Sequence, residues 1–211
     1  MVSRGVGSWQ TYYQNQTPML GSTAGPNMPR MGYIVASIQT ELNHNGSQPL
    51  LTVDGEFGPL TEKSTLHFQK VEGLIADGIV GPQTARALCQ LRCDEVEVQR
   101  SLPLKGILAG VIRVESSYDF GATGWVDPRD RGLAQINSSA HPDVTDTEAF
   151  DSAFSITWAG KNLQSAFKIF SDVECAIAAY NLGIGGAGTW CKDKAANPQA
   201  MAYVENVMKG P

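Results

Sequence analysis

The stretch Val53-Asp54-Gly55-Glu56-Phe57-Gly58-Pro59-Leu60-Thr61 returns 23 residues later as Ala76-Asp77-Gly78-Ile79-Val80-Gly81-Pro82-Gln83-Thr84. Both copies carry the same local logic. Asp-Gly makes a turn in which glycine takes positive φ without steric penalty. Gly-Pro then ends the turn and opens a helix, because proline in the first helical turn gives up no hydrogen bond that the helix needs. The spacing predicts helices over 62–70 and 84–91. The first buries Leu66 with Phe68 or Val71, the second Ala87 with Leu88 and Leu91. Ahead of the repeat, Ile34, Ile38 and Leu42 recur at helical intervals and Gly46 follows as a stop signal, so 33–44 reads as a further helix. Two turn–helix units and one preceding helix make a small three-helix module.

Doubled and in register, Asp-Gly-x-x-Gly-Pro-x-Thr with Phe68-Gln69 after the first copy resembles the peptidoglycan-binding module of many wall hydrolases, over residues 31–91. The resemblance implies bacterial peptidoglycan as a partner, held as wall peptide or glycan in a groove. Residues 1–30 form an arm without helical or strand period, whose Trp9, Tyr12 and Tyr13 suit packing on a neighbouring domain or contact with glycan. Residues 92–102 are charged and lack a clear apolar face until Leu102, so they read as a linker, helical or extended, with a second domain over 103–211.

That domain begins with a run that Pro103 can open as a helix and that continues to Glu115. Ile107, Leu108, Val111 and Ile112 form an apolar stripe, and Glu115, four residues past Val111 and seven past Leu108, falls on it. A carboxylate on a buried face is costly when charged, so its pKa rises. An acid still protonated near neutrality is what glycosidic cleavage needs to protonate its leaving oxygen. By itself, a glutamate at a helix end is better explained by solvent exposure.

Glu115-Ser116-Ser117-Tyr118-Asp119 is followed by Gly132-Leu133-Ala134-Gln135-Ile136-Asn137, and then by Ala178-Ala179-Tyr180-Asn181-Leu182-Gly183. These three motifs, in this order, resemble the lytic transglycosylase and goose-type lysozyme superfamily over roughly residues 103–191. The resemblance implies that Glu115 is the catalytic acid, that Gln135 lines the sugar cleft, and that Tyr180 and Asn181 lie beside the acid and hold it and the substrate. Phe150-Asp151, Ile156, Trp158 and Leu163 match the helix that packs behind the cleft. Ala134 stands where methionine is usual, and Leu182 where a small residue is common. The lead-in 124–131 also departs from the family and brings Asp127 and Asp130 near the expected cleft. Either is a candidate second carboxylate, as an inverting lysozyme needs to activate water; either is equally suited to pairing with Arg129 or Arg131. A lytic transglycosylase needs the single glutamate only. The fold expected is mostly α: the three-helix module, then an α-helical lysozyme-like domain with a minimal β-ribbon in 120–135.

Composition narrows the partners. A net charge of −5 over 211 residues disfavours a nucleic-acid binder, which clusters Lys and Arg, and it disfavours recruitment to an anionic envelope by charge alone. No run approaches the roughly 20 apolar residues of a membrane span. The start lacks a basic residue cluster followed by an apolar run, so no secretory signal is read. The expectation is a monomer made in a host cytoplasm and acting at the wall after release, as a bacteriophage endolysin does. No metal or organic cofactor is implied, since His44, His67 and His141 are scattered. Cys89, Cys93, Cys175 and Cys191 read as buried thiols in a reducing compartment, with a disulfide after release as the alternative. Two other functions compete: a cysteine peptidase using Cys89 or Cys93 with His141, and a non-catalytic wall-binding or virion structural protein on a decayed lysozyme fold. Neither cysteine sits in a peptidase motif, and Glu115 with Tyr180-Asn181 is intact.

Overall fold

The computed structural model describes residues 30–124 and 127–211. The arm with Trp9, Tyr12 and Tyr13 lies outside the described residues. The rest is mostly α, with eight helices and one two-stranded ribbon. In chain order these are α1 (Arg30–His44), α2 (Pro59–Val71), α3 (Pro82–Arg100), α4 (Ile107–Ser116), β1 (Asp130–Arg131), β2 (Ile136–Asn137), α5 (Asp146–Phe150), α6 (Ser152–Ile169), α7 (Val173–Trp190) and α8 (Pro198–Met208), with a 3-10 turn at Lys194–Ala196.

The repeat folds as its chemistry requires. Gly55 and Gly78 take φ of 77° and 76°, and Pro59 and Pro82 open α2 and α3. Each turn is held by a buried glutamine from the helix before it. Gln39 Nε2 donates to Asp54 Oδ1 at 2.8 Å while its Oε1 accepts the amides of Asp54 and Gly55. Gln69 Nε2 donates to Asp77 Oδ1 at 2.9 Å and to Thr84 Oγ1 at 3.0 Å, and its Oε1 accepts Gly78 N–H. The motif threonines Thr61 and Thr84 are therefore buried partners of these glutamines rather than helix decoration. Phe68 and Leu88 are buried as expected, whereas Val71 is 66% exposed and is no part of the core.

Residues 92–100, read as the connection between the two parts, are helical: α3 runs through them unbroken, burying Cys89, Cys93 and Val96 on one stripe. One expectation about the middle of the chain needs correction: Pro103 does not start a helix. The chain turns there, and α4 begins at Ile107 after Gly106. The cause is Glu97, whose buried carboxylate accepts the amides of Gly106 at 2.8 Å and Leu108 at 2.6 Å. It thereby caps the free N–H groups at the start of α4, where a negative charge also meets the helix dipole favourably.

Burial is continuous from the module into the second half. Ile38, Leu42, Phe68 and Leu88 share one core with Leu108, Ile112, Ile156, Leu163 and Ile177. Polar groups join the halves as well. Ser37 Oγ donates to the Phe150 carbonyl at 2.7 Å, and fully buried Glu41 accepts from Ser152 Oγ at 2.6 Å and from Arg92 Nε. α4 and α8 cross closely at Gly110, where any Cβ would strike the Val207 carbonyl. α7 is two helical pieces broken at Gly183. The break lets Cys191 return to within 5.8 Å (Cα–Cα) of Cys175, to which it is disulfide-bonded; a straight helix would separate them by roughly 24 Å. Cys89 and Cys93 are buried free thiols.

Candidate active site

Glu115 stands in the last turn of α4, past fully buried Leu108, Val111 and Ile112. Its side chain is not in bulk water. Burial raises its pKa from 4.5 to about 7, against the opposing effect of a hydrogen bond from Tyr203. That bond, Tyr203 Oη to Glu115 Oε1, is 2.6 Å long. The crossing at Gly110 brings α8 close enough for it, and Arg113 ties the end of α8 to α4 by donating to the carbonyls of Gly210 and Asn206.

The second and third motifs meet across the fold. Tyr180 Oη donates to the Ala134 carbonyl at 2.9 Å, and Ala134 N–H donates to Ser155 Oγ at 3.0 Å. The turn that carries Gln135 is thus held from α7 on one side and from α6 on the other. Gln135 has φ of 51°, and its Nε2 donates to Gly132 O. Behind it, His141, Trp158 and Tyr180 form an edge-to-face series with centroids 4.9 and 6.2 Å apart, a favoured aromatic arrangement. Burial, followed by the nearby Glu115 charge, raises the pKa of both Tyr180 and Tyr203, so both phenols stay neutral donors. Asn181 is exposed, and its side chain makes no hydrogen bond among the described residues.

The two candidate carboxylates separate clearly. Asp127 is held by the Arg129 guanidinium at 2.7 and 2.8 Å, which drives its pKa well below the usual carboxylate range. Asp130 accepts from Asn137 Nδ2 at 2.7 Å, has no ion pair among the described residues, and lies close enough to help raise the pKa of Glu115. Arg131 pairs with Asp146 instead. The ribbon forms where a minimal one was expected, with its second strand slightly later, at Ile136–Asn137.

Tyr203 was missed by motif reading. Its signal is nevertheless present: after Pro198, residues Ala200, Tyr203, Val204 and Val207 form a buried helical stripe, and a phenol on such a stripe needs a polar partner. Replacing it by phenylalanine tests its role as a positioning residue. Losing a hydrogen bond to a charged group costs about 1.5–3 kcal/mol. Tyr203→Phe should therefore lower kcat/KM by about 10–100-fold, and the alkaline limb of its pH profile should move upward, because the bond lowers the Glu115 pKa. A purely structural role would lower activity without moving that limb.

Comparison with known proteins agrees with this geometry. Residues 95–202, just over half of the chain, match the family model described as transglycosylase SLT domain. The chain belongs to the SLT transglycosylase family. Ahead of this domain, residues 32–88 match the model described as a putative peptidoglycan binding domain. The chain is also similar to the zinc D-Ala-D-Ala carboxypeptidase of Streptomyces albus G, at 38% identity over 50% of this chain and 40% of that protein. It is similar to an N-acetylmuramoyl-L-alanine amidase of Mycobacterium tuberculosis, at 43% identity over 28% of this chain and 14% of that protein. The chain thus spans less than half the length of the curated relatives it matches. Among the described residues of this SLT transglycosylase, no cluster of His, Cys, Asp and Glu is arranged to hold a metal. Burial raises the thiol pKa of Cys89 and Cys93 far above its ordinary value, which disfavours a thiolate nucleophile at either position.

Proposed function

We propose that the chain is a peptidoglycan glycosidase that cleaves the β-1,4 bond between N-acetylmuramic acid and N-acetylglucosamine, with Glu115 as its acid. The observation that carries this reading is a half-buried carboxyl group that accepts a hydrogen bond from Tyr203, lies near Tyr180, and has its pKa raised by burial to about 7. Glu115 gives its proton to the bridging oxygen as the bond from that oxygen to the muramic acid C1 breaks. The resulting carboxylate then takes the proton of the muramic acid 6-hydroxyl as O6 bonds to C1. The products are a new 4-hydroxyl end and a 1,6-anhydro ring, with no water consumed. Gln135, Tyr180 and Asn181 line the cleft, and the N-terminal module holds the enzyme on the insoluble polymer, raising its local concentration there.

One observation favours a second course for the same cleft: Asp130, which has no ion pair among the described residues, could activate a water molecule instead. Mass spectrometry of digested muropeptides separates the two, since ring closure leaves anhydro ends and hydrolysis leaves reducing ends. With ring closure, Asp130→Asn should keep turnover within a few-fold of the parent. A loss of about 100-fold together with reducing ends would move the assignment to hydrolysis. We assign the chain the role of a monomeric bacteriophage endolysin, reaching the wall after release from the host cytoplasm. A wall-binding module ahead of a glycosidase supports this, as does a disulfide suited to an oxidising exterior. Coexpression with and without a membrane-permeabilising protein tests it: lysis should require permeabilisation.

A further inference from the structure

The first helix of the N-terminal module reaches the segment that leads out of the first motif. Ile34 on α1 is 6% exposed and lies against the backbone of Gly121. A Cβ at Gly121 would meet Ile34 Cδ1 at 2.2 Å and Cγ1 at 2.9 Å. Gly121 does not take a positive φ, so the closeness of Ile34, and not a special backbone conformation, is what demands glycine there. α1 is not free to retreat from this contact. Tyr33 stacks on Phe150 with ring centroids 6.3 Å apart, and Ser37 donates to the Phe150 carbonyl.

The segment that Ile34 touches is strained and joins two groups of the cleft. Glu115 stands six residues before Gly121. Between them Ser117 and Tyr118 both take left-handed φ, 54° and 63°, a conformation that costs non-glycine residues energy and persists where the surroundings enforce it. Local bonds supply part of that enforcement. Tyr118 Oη donates to the Ala109 carbonyl at 3.2 Å, Asp119 N–H to the Ser116 carbonyl at 3.0 Å, and Gly121 N–H to Asp119 Oδ1 at 2.8 Å. Past Gly121 the chain is tied to the ribbon: Gly132 N–H donates to the Ala122 carbonyl at 2.8 Å, and Gly124 N–H to the Asp130 carbonyl at 3.0 Å. Asp130 is the aspartate whose charge reaches Glu115.

We propose that Ile34 is a positioning residue for the cleavage reaction: seated against Gly121, it fixes the 117–122 segment and with it the placement of Glu115 against the ribbon. The wall-binding module then completes the catalytic half in addition to tethering it, and it is needed even for substrate already in solution. The inference rests on the reading of Glu115 as the acid. A misplacement of about 1 Å at reacting groups can cost about 100-fold in rate, so a fraction of that displacement should cost about 10-fold.

The test moves one methyl group across the contact. Gly121→Ala adds a methyl, and Ile34→Val removes the Cδ1 that it would strike, so the double variant conserves volume, the kind of exchange that cores tolerate best. On soluble glycan strands, per folded molecule, Gly121→Ala should lower kcat about 10-fold with KM within about 2-fold of the parent. The double variant should return to within about 3-fold of the parent, as coupled neighbours do. Carbon-13 titration of the Glu115 carboxyl is the second readout. Looser packing at the end of α4 weakens the burial that raises this pKa, so the midpoint of about 7 should fall in Gly121→Ala and recover in the double variant. Should Gly121→Ala fail to fold, Ile34→Ala empties the contact instead of crowding it and is read by the same two measurements, with the same directions expected. A lowered melting temperature with kcat and midpoint unchanged would make the contact merely structural and overturn the proposal. So would a loss confined to KM, or one that Ile34→Val does not repair. The titration needs no turnover: a parent that leaves soluble strands uncut would sink the Glu115 reading, and the midpoints would still decide whether Ile34 places that side chain.

Discussion

Glu115→Gln is expected to abolish wall clearing while making the protein more stable than the parent in alkaline buffer. Loss of a positioned acid costs about 10²–10⁴-fold in rate, and here one group serves as acid and then as base, so a loss of at least about 10³-fold is expected. Binding to walls should persist, because the substitution keeps the Tyr203 hydrogen bond: a glutamine oxygen accepts where the carboxylate did. The stability effect follows from the same burial. The Glu115 pKa is raised from 4.5 to about 7 in the folded state. The proton is therefore held more tightly in the fold than in the unfolded chain. The contribution is complete below pH 4.5 and is lost as pH rises through about 7. Glutamine does not titrate, so the variant should match the parent near pH 4 and exceed it by on the order of 2–3 kcal/mol at pH 8. Thermal melts at the two pH values, run beside zymograms, read both effects. Clearing that survives the substitution would remove Glu115 from the chemistry. A melting temperature lowered equally at both pH values would mean that Glu115 is a structural residue.

Local chemistry was legible where the chain speaks for itself. Asp-Gly and Gly-Pro fix their own turns, so both repeat units could be placed from sequence, and the 3.6-residue period put Glu115 at the end of the apolar stripe of α4, where it is half-buried. Long-range partners were not legible. The 92–100 segment looked like a linker because Arg92, Asp94, Glu95 and Arg100 dominate it; the stripe of Cys89, Cys93 and Val96 gains meaning only with α6 in place, where Gly160 lets Val96 approach. Pro103 promised a helix start, but the carboxylate that caps α4 comes from Glu97, in the preceding helix. The Cys175–Cys191 bond depends on a break at Gly183 that no periodicity announces. At the site, helical spacing singled out Glu115 and the family resemblance named Gln135 and Tyr180, and neither could choose between Asp127 and Asp130. That choice turns on which aspartate the flexible Arg129 side chain reaches.

The largest stability loss is expected at Glu41, far from any motif. Its carboxylate is fully buried between α1 and the start of α6, where it accepts from Ser152 Oγ and from the largely buried Arg92. Burial outweighs these partners and raises its pKa, so the negative charge itself adds little net stability, consistent with the high desolvation cost of buried ions. Removing the side chain is a different matter. Glu41→Ala leaves the Ser152 hydroxyl unpaired and the largely buried Arg92 guanidinium with only its 3.6 Å contact to Glu95, which should cost about 3 kcal/mol, whereas Glu41→Gln, which keeps an acceptor, should cost about 1 kcal/mol. Denaturant unfolding at pH 7 measures both. The location adds a sharper test. Ser37, one turn before Glu41 on α1, accepts the Ser152 amide and donates to the Phe150 carbonyl, so α1 is bonded to the N-terminus of α6 by several independent contacts. α6 in turn supplies Ser155, which holds the Gln135 turn through Ala134. Hydrogen exchange in Glu41→Ala should therefore quicken together in α1, at Ser152–Ser155 and at Ala134. Faster exchange in α1 alone would mean that the module and the cleft are merely adjacent and that Glu41 couples nothing.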